Sequence, residues 1–273
     1  LESIARGAHA HMPVIIGNST QETMLFVNAV GPVTDEASYR TAIGKTFGAD
    51  AVARILAAYP PASYPSPKLA LVQLTTDALF TCQSRRVART LSRTQKAPVY
   101  RYLFAHALEN DSEHKALGAV HTVEHPFFFP WQGNYRPNDA DLNVQRTMVT
   151  HWTRFARRGD VGPSSEWPSA EPGSAHLVIA ATPAVKAEAV MLTGDQRSTA
   201  ESVGRNLGVL APGDQAIDSR ELGALDAEAL TARLPTTGVF SRIAPEDKLT
   251  IVRAFQRRGD VVAMLGDGVN DAP

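Results

Sequence analysis

Apolar and polar positions follow two different periods along this chain. Met12-Pro-Val-Ile-Ile-Gly17 is a short β-branched run closed by glycine, which predicts a buried strand. A polar turn, Asn18 to Glu22, follows, and then Met24-Leu-Phe-Val27. Residues 35–59 carry two helical patterns, first Tyr39, Ile43 and Phe47, then Val52, Ile55 and Leu56. Pro60, Pro61, Pro65 and Pro67 predict a stiff loop. Beyond it Leu71, Leu74, Ala78, Leu79, Cys82, Val87 and Leu91 recur at helical spacing, and Arg85, Arg86, Arg89 and Arg93 read most simply as a solvated face. Pro98 to Phe104 alternates and is aromatic, which predicts a strand. Asp141 to Arg158 predicts an amphipathic helix with Leu142, Met148, Val149, Trp152, Phe155 and Ala156 on one face; Gly159 stops it.

A second pattern begins near residue 188. Ala189 to Thr193 reads as a buried strand, Ser198 to Leu207 as a helix ended by Gly208, and Asp226 as the cap of a helix running through Leu234. Gly238 to Ser241 predicts a short strand. Ala244-Pro-Glu-Asp-Lys248 opens a helix with Pro at its first position and acids in its first turn, and Val261 to Leu265 predicts a parallel-type strand. Strand and helix alternating on this scale predict a doubly wound α/β sheet.

Composition narrows the reading little. A chain of 273 residues buries a sizeable core, and its net charge of −1 argues for neither nucleic acid nor an anionic membrane surface as partner. The single cysteine, Cys82, excludes an intrachain disulfide framework and a cysteine-based metal site; a half-buried small residue is expected there. No signal peptide and no apolar run of about 18 residues occurs, so no membrane segment is expected. The stickiest stretch is His125 to Trp131. Localisation is left open, cytoplasmic if the chain is expressed as it stands. Opening on Leu-Glu-Ser and closing on Ala-Pro directly after a motif, both ends read as cut.

Candidate chemistry changes the picture more. Glu22 lies just past the C-terminal end of a predicted buried strand, where open α/β sheets place functional groups, although alone it reads as a solvated turn residue. His121, after a strand and a loop and with acids nearby, suits a general base better than a lone histidine does. The succession PVIIGNSTQE, VYRYLF, GAVHTVEHPFFF and MVTHWTRFARRGD resembles the C-terminal portion of type-B carboxylesterases, the α/β-hydrolases related to cholinesterases, over about residues 1–187. The resemblance implies that Glu22 and His121 are the acid and base of a Ser-His-Glu triad, histidine taking the serine proton and the carboxylate orienting the imidazole. Gln21-Glu22-Thr23 stands where the family commonly has D-E-G, and Thr122 where it commonly has Gly after His. Neither a G-x-S-x-G elbow nor an HGGG-type oxyanion loop occurs, and a base without a nucleophile does not perform acyl transfer.

In the C-terminal third, Asp267 and Asp271 flank a Gly-rich loop after an apolar run, an oxygen-ligand pattern suited to a hard cation such as Mg²⁺. Thr193 at a strand end can donate to a phosphoryl oxygen, and Lys248 can neutralise its charge. MLTGDQRSTAESVGRNLGV, VFSRIAPEDKLTIVRAFQRRG and VVAMLGDGVNDAP resemble the phosphorylation domain of P-type cation-transporting ATPases, within the haloacid-dehalogenase-like superfamily, over about residues 188–273. The VFSR-x-x-PEDK style is similar to the calcium-pump-like branch. The resemblance implies phosphate binding by Thr193, Gly194, Asp195 and Lys248, and Mg²⁺ held by Asp267 with support from Asp271. The D-K-T-G-T motif of the phosphorylated Asp does not occur. Ala244 replaces a capping Ser, at an expected cost of about 1 kcal/mol.

The expected architecture is therefore α/β: an incomplete α/β-hydrolase sheet at 1–187 and an incomplete doubly wound haloacid-dehalogenase-like sheet at 188–273, joined without a linker. The expected function is that of a hydrolase-derived fragment fusion, inactive alone. A weak Mg²⁺- and phosphate-binding remnant and a non-enzymatic fragment needing a complementing chain are the alternatives.

Overall fold

The computed structural model describes residues 1–170, 176–186, 191–192, 196–206, 210 and 214–257. Its first unit runs α1 (Glu2–Ala5), β1 (Val14–Ser19), α2 (Glu36–Phe47), α3 (Val52–Ala58), α4 (Pro67–Thr76), α5 (Cys82–Thr94), β2 (Val99–Phe104), α6 (Ser112–Leu117), α7 (Asp139–Arg158), β3 (His176–Ile179) and β4 (Ala184–Lys186). The strands form one sheet in the order β1-β2-β3-β4, parallel across the first two pairings and antiparallel at the last. Val14 faces Val99 and Ser19 faces Phe104, so both strands end at the same level, β1 running two residues past the Gly17 expected to close it. That is what brings their following loops together.

Local chemistry sets the helix ends. Asp35 caps α2, accepting from Ser38 N at 2.8 Å while the Ser38 hydroxyl returns to the cap. Ser66 caps α4, with Pro67 at its first position. Asn138 and Asp141 form the same reciprocal box on α7, and Gly159 closes that helix in the left-handed region at φ 76°.

The predicted 69–91 helix is interrupted. Between α4 and α5, Asp77–Thr81 form a π-helical turn, which rotates the following residues relative to a continuous α-helix. One side of the sheet is covered by α7, where Trp167, Phe104, Phe127, Met148 and Leu177 are fully or almost fully buried. The Trp167 indole donates to Arg101 O at 2.9 Å, which satisfies its polar tip inside that core. A second core joins α2 and α4 through Tyr39, Ile43, Leu71 and Val72.

The second unit contains β5 (Met191–Leu192), α8 (Arg197–Asn206), β6 (Gln215–Asp218), α9 (Ser219–Gly223), α10 (Ala227–Arg233), β7 (Thr237–Ser241) and α11 (Pro245–Arg257). Its parallel sheet has the order β5-β7-β6. Ile217, Phe240, Leu230 and Ile251 form its core. Strand β6 escaped sequence reading because Gln-Ala-Ile-Asp is too short to show a period. The strand expected at 261–265 lies outside the described residues. Asp226 caps α10 as expected, accepting from Glu228 N and Ala229 N. At α11 only the return half of a capping box is present: Asp247 accepts from Ala244 N at 3.3 Å and from the Ser219 hydroxyl at 2.6 Å.

The arginines of α5 are not the solvated face their spacing suggests. Arg85 and Arg89 are buried, and Arg89 and Arg93 both pair with Asp214, whose side chain has no exposed surface. Arg86 donates to Arg205 O at 2.7 Å. The second unit supplies both acceptors, which a reading of α5 alone has no means to find.

Candidate functional site

The turn after β1 places Glu22. Gly17 lets the strand pass beneath Tyr102: a Cβ there would sit 2.4 Å from that ring. The chain then folds back so that Ser19 N donates to Glu22 Oε1 at 2.6 Å, and Glu22 is buried at 4% exposure rather than solvated. Its other oxygen, Oε2, lies 2.5 Å from His121 Nδ1. The two residues singled out from sequence, 99 positions apart, are thus brought into direct contact.

The residues flanking Glu22 hold this geometry. Gln21 binds the histidine loop twice: its N–H donates to Ala119 O at 2.9 Å, and its Oε1 accepts from Ala119 N at 2.6 Å. Gln21 also bridges Val120 in parallel fashion. Gly118, at φ 77°, leaves room for that amide, since a Cβ would meet Gln21 Oε1 at 1.9 Å. Thr23 anchors the other side: its hydroxyl meets that of Thr75 on α4 at 2.6 Å, and its N–H donates to Thr76 Oγ1 at 3.3 Å. The departures of this turn from the usual family triplet are therefore clamps. Thr122 shows the cost of the other departure: it sits at φ 67°, a region a β-branched residue rarely adopts.

His121 itself is partly open, with 44% of its side chain exposed against 5% for Glu22. Phe26 and Phe80 approach its ring, with centroids 5.7 and 5.9 Å away. Phe80 belongs to the π turn, which is tied to the end of β1 by Asn18 Nδ2 donating to Thr81 Oγ1 at 3.1 Å. His121 Nε2 makes no hydrogen bond among the described residues. An imidazole held at Nδ1 by a buried carboxylate and open at Nε2 is equipped to take a proton from a group brought to it.

A second histidine–carboxylate pair was not legible in the sequence. His106 Nε2 lies 2.8 Å from Asp141 Oδ1, and both residues are almost completely buried. Tyr135 donates to Asp141 Oδ2 at 2.7 Å; burial and that bond push its phenol up to about 12. Asp141 reads in sequence only as an acid in the first turn of a helix.

In the second unit, Thr193, Gly194, Asp195, Asp267 and Asp271 lie outside the described residues, and Lys248 lies in α11. Among the described residues no group of three or more His, Cys, Asp or Glu could hold a metal. Gln196, Arg197, Ser198, Glu201, Asp218 and Arg242 line a polar cavity of about 390 Å³ at the C-terminal ends of β6 and β7. Arg242, at φ 55°, was not singled out by sequence; its conformation is visible only in the backbone. No helix of the described residues is long and apolar enough to cross a membrane.

This arrangement, a carboxylate after one parallel strand oriented onto a histidine after the next, defines the α/β-hydrolase class of site. The carboxylesterase family model matches residues 1–193, and the chain belongs to that family. A haloacid dehalogenase-like hydrolase model matches residues 169–273. The fold is similar to that of a thermophilic PNB esterase, at TM-score 0.50 and 21% identity over 76% of this chain and 40% of that one. A second PNB esterase structure gives TM-score 0.51 at 20% identity with the same coverage. Curated relatives match the other end. A calcium-transporting ATPase of Yarrowia lipolytica is 54% identical over 86 residues, and one of Listeria monocytogenes 45% identical over 84. These matches cover 31% of this chain and only 9% and 10% of those proteins. The chain thus joins a carboxylesterase-like region to one like the phosphorylation domain of P-type ATPases.

Proposed function

We propose that Glu22 and His121 are the acid–base half of a carboxylic ester hydrolase site, inactive until a complementing chain brings a nucleophilic serine to His121 Nε2. The observation that carries this reading is the 2.5 Å contact of buried Glu22 with His121 Nδ1, which leaves Nε2 directed away from the carboxylate. In the step envisaged, Nε2 accepts the serine proton as the oxygen attacks the ester carbonyl. Glu22 keeps the proton-bearing Nδ1 in place and stabilises the imidazolium that forms. Exposed Leu25, Phe26 and Leu79 give an apolar surface on the segments flanking this pair, suited to being covered by such a chain. Strand β1 is an outer strand of the sheet and offers it a pairing edge.

The test is hydrolysis of p-nitrophenyl acetate by the purified chain, alone and mixed with an esterase N-terminal half carrying G-x-S-x-G. Activity is expected only in the mixture, and Glu22→Ala and His121→Ala should each lower it by about 10³-fold or more. Full activity of the mixture with His121→Ala would overturn the assignment.

A second reading concerns the C-terminal region. Thr193, Gly194, Asp195 and Lys248 would bind phosphate, and Asp267 with Asp271 would hold Mg²⁺, which when bound would neutralise phosphoryl charge. The polar cavity beside Arg197 and Arg242 favours this reading. Calorimetry should detect Mg²⁺-dependent phosphate binding that is lost in Asp267→Ala; binding unchanged in that variant would exclude it.

A further inference from the structure

A cavity of about 320 Å³ opens between α3, the π turn and α8. Phe47, Ile55 and Leu74 of the first unit form apolar walls, and Val203 of the second unit contributes another. Tyr59 and Cys82 also line it. Tyr59 OH is engaged, donating to Asp77 Oδ2 at 3.1 Å. Burial, followed by the Asp77 charge, pushes the Cys82 thiol up to about 11 and the Tyr59 phenol higher still, so both are uncharged at neutral pH. Among the described residues lining the cavity Arg54 alone is charged; it is exposed and pairs with no carboxylate among them.

We propose that this cavity binds an unbranched aliphatic carboxylate, its chain among Phe47, Ile55, Leu74 and Val203 and its head group on Arg54. The argument rests on shape and charge. The walls are apolar and neutral, so they gain from an alkyl chain and offer nothing to a polar ligand. The single cation at the opening selects an anionic head over an alcohol or an amine. A dry cavity of about 150 Å³ holds a six-carbon ring, so this volume takes on the order of twelve heavy atoms, the size of decanoate. Because Val203 comes from α8, the site exists only where the two units meet. The proposal is independent of the Glu22–His121 reading.

Isothermal calorimetry of the full chain with sodium decanoate tests it. Saturable one-to-one binding is expected, weakening about fourfold for each methylene removed. Arg54→Gln should weaken decanoate about tenfold or more while leaving decanol unchanged, and Arg54→Lys should restore most of the loss. Ala58→Trp, at an exposed position lining the cavity, should abolish binding of both ligands with the circular dichroism spectrum unchanged. The proposal is overturned if decanoate shows no saturable binding. Equal affinity for decanoate and decanol, insensitive to Arg54→Gln, would overturn the carboxylate assignment. Binding that survives Ala58→Trp would place the ligand elsewhere.

Discussion

Two histidine–carboxylate pairs of the first unit link residues far apart in sequence at nearly the same contact distance, 2.5 Å for His121–Glu22 and 2.8 Å for His106–Asp141. Everything around them differs. His106 is 2% exposed and enclosed by Phe127, and Asp141 spends its remaining capacity on Tyr135 and the cap of α7. His121 is 44% exposed, contacts its carboxylate through Nδ1, and sits on a loop fixed by Gln21. The first pair belongs to a buried network in which both Asp141 oxygens are committed, which is how buried polar groups hold loops and helix ends together. The second is a carboxylate fully committed and a histidine half free. Contact distance alone does not separate structure from chemistry; exposure and the identity of the bonded nitrogen do.

The sharpest way to break the comparison is to remove each carboxylate. Asp141→Ala leaves buried His106 without its carboxylate, takes an acceptor from the half-buried Tyr135 hydroxyl and removes the reciprocal half of the α7 capping box. A loss of about 3–5 kcal/mol is expected. Trp131, Trp152 and Trp167 all lie in the first unit, so tryptophan fluorescence during urea unfolding reads it directly. A loss below about 1 kcal/mol would remove the structural role assigned to this pair.

Glu22→Gln should cost less. Glu22 accepts on both oxygens, from Ser19 N and toward His121 Nδ1, and an amide can satisfy only one such donor. The displaced His121 can turn to water, so a loss of about 1–2 kcal/mol is expected in the same unfolding experiment. A cost equal to that of Asp141→Ala would make the two pairs alike and weaken the functional reading of Glu22.

This contrast also marks what was legible in the sequence. The two strands follow from short β-branched and aromatic runs with polar loops behind them, although the first runs two residues past Gly17 to Ser19; the pairing of Glu22 with His121 was legible only through the carboxylesterase resemblance. The α5 arginines were misread because helical spacing reports which residues share a face, not what covers it. Asp214, far away in sequence, decides that. The π turn at Asp77–Thr81 was invisible because one added residue per turn leaves the apolar spacing almost unchanged. The Asp141 network was missed because an acid in the first turn of a helix is already explained by the helix dipole.

The smallest effect concerns the loop that carries His121. Thr122 holds φ 67° although its side chain branches at Cβ, and the left-handed region costs an L-residue about 1–2 kcal/mol. Glycine pays none of this, but it gives the unfolded chain about 0.4–1 kcal/mol of extra conformational freedom. Thr122→Gly is therefore expected to stabilise the first unit by about 0.5–1 kcal/mol, seen as a higher urea midpoint with an unchanged slope. Gln21 fixes Ala119 and Val120, not residue 122, so the clamp survives the change and His121 should keep its contact with Glu22. A matched Gly118→Ala variant sharpens the result. It places a Cβ against the Gln21 amide at another left-handed position and should destabilise instead. If Thr122→Gly lowers the midpoint as Gly118→Ala does, the Thr122 side chain is holding the histidine loop, and its strained backbone is a constraint on His121 rather than a tolerated departure.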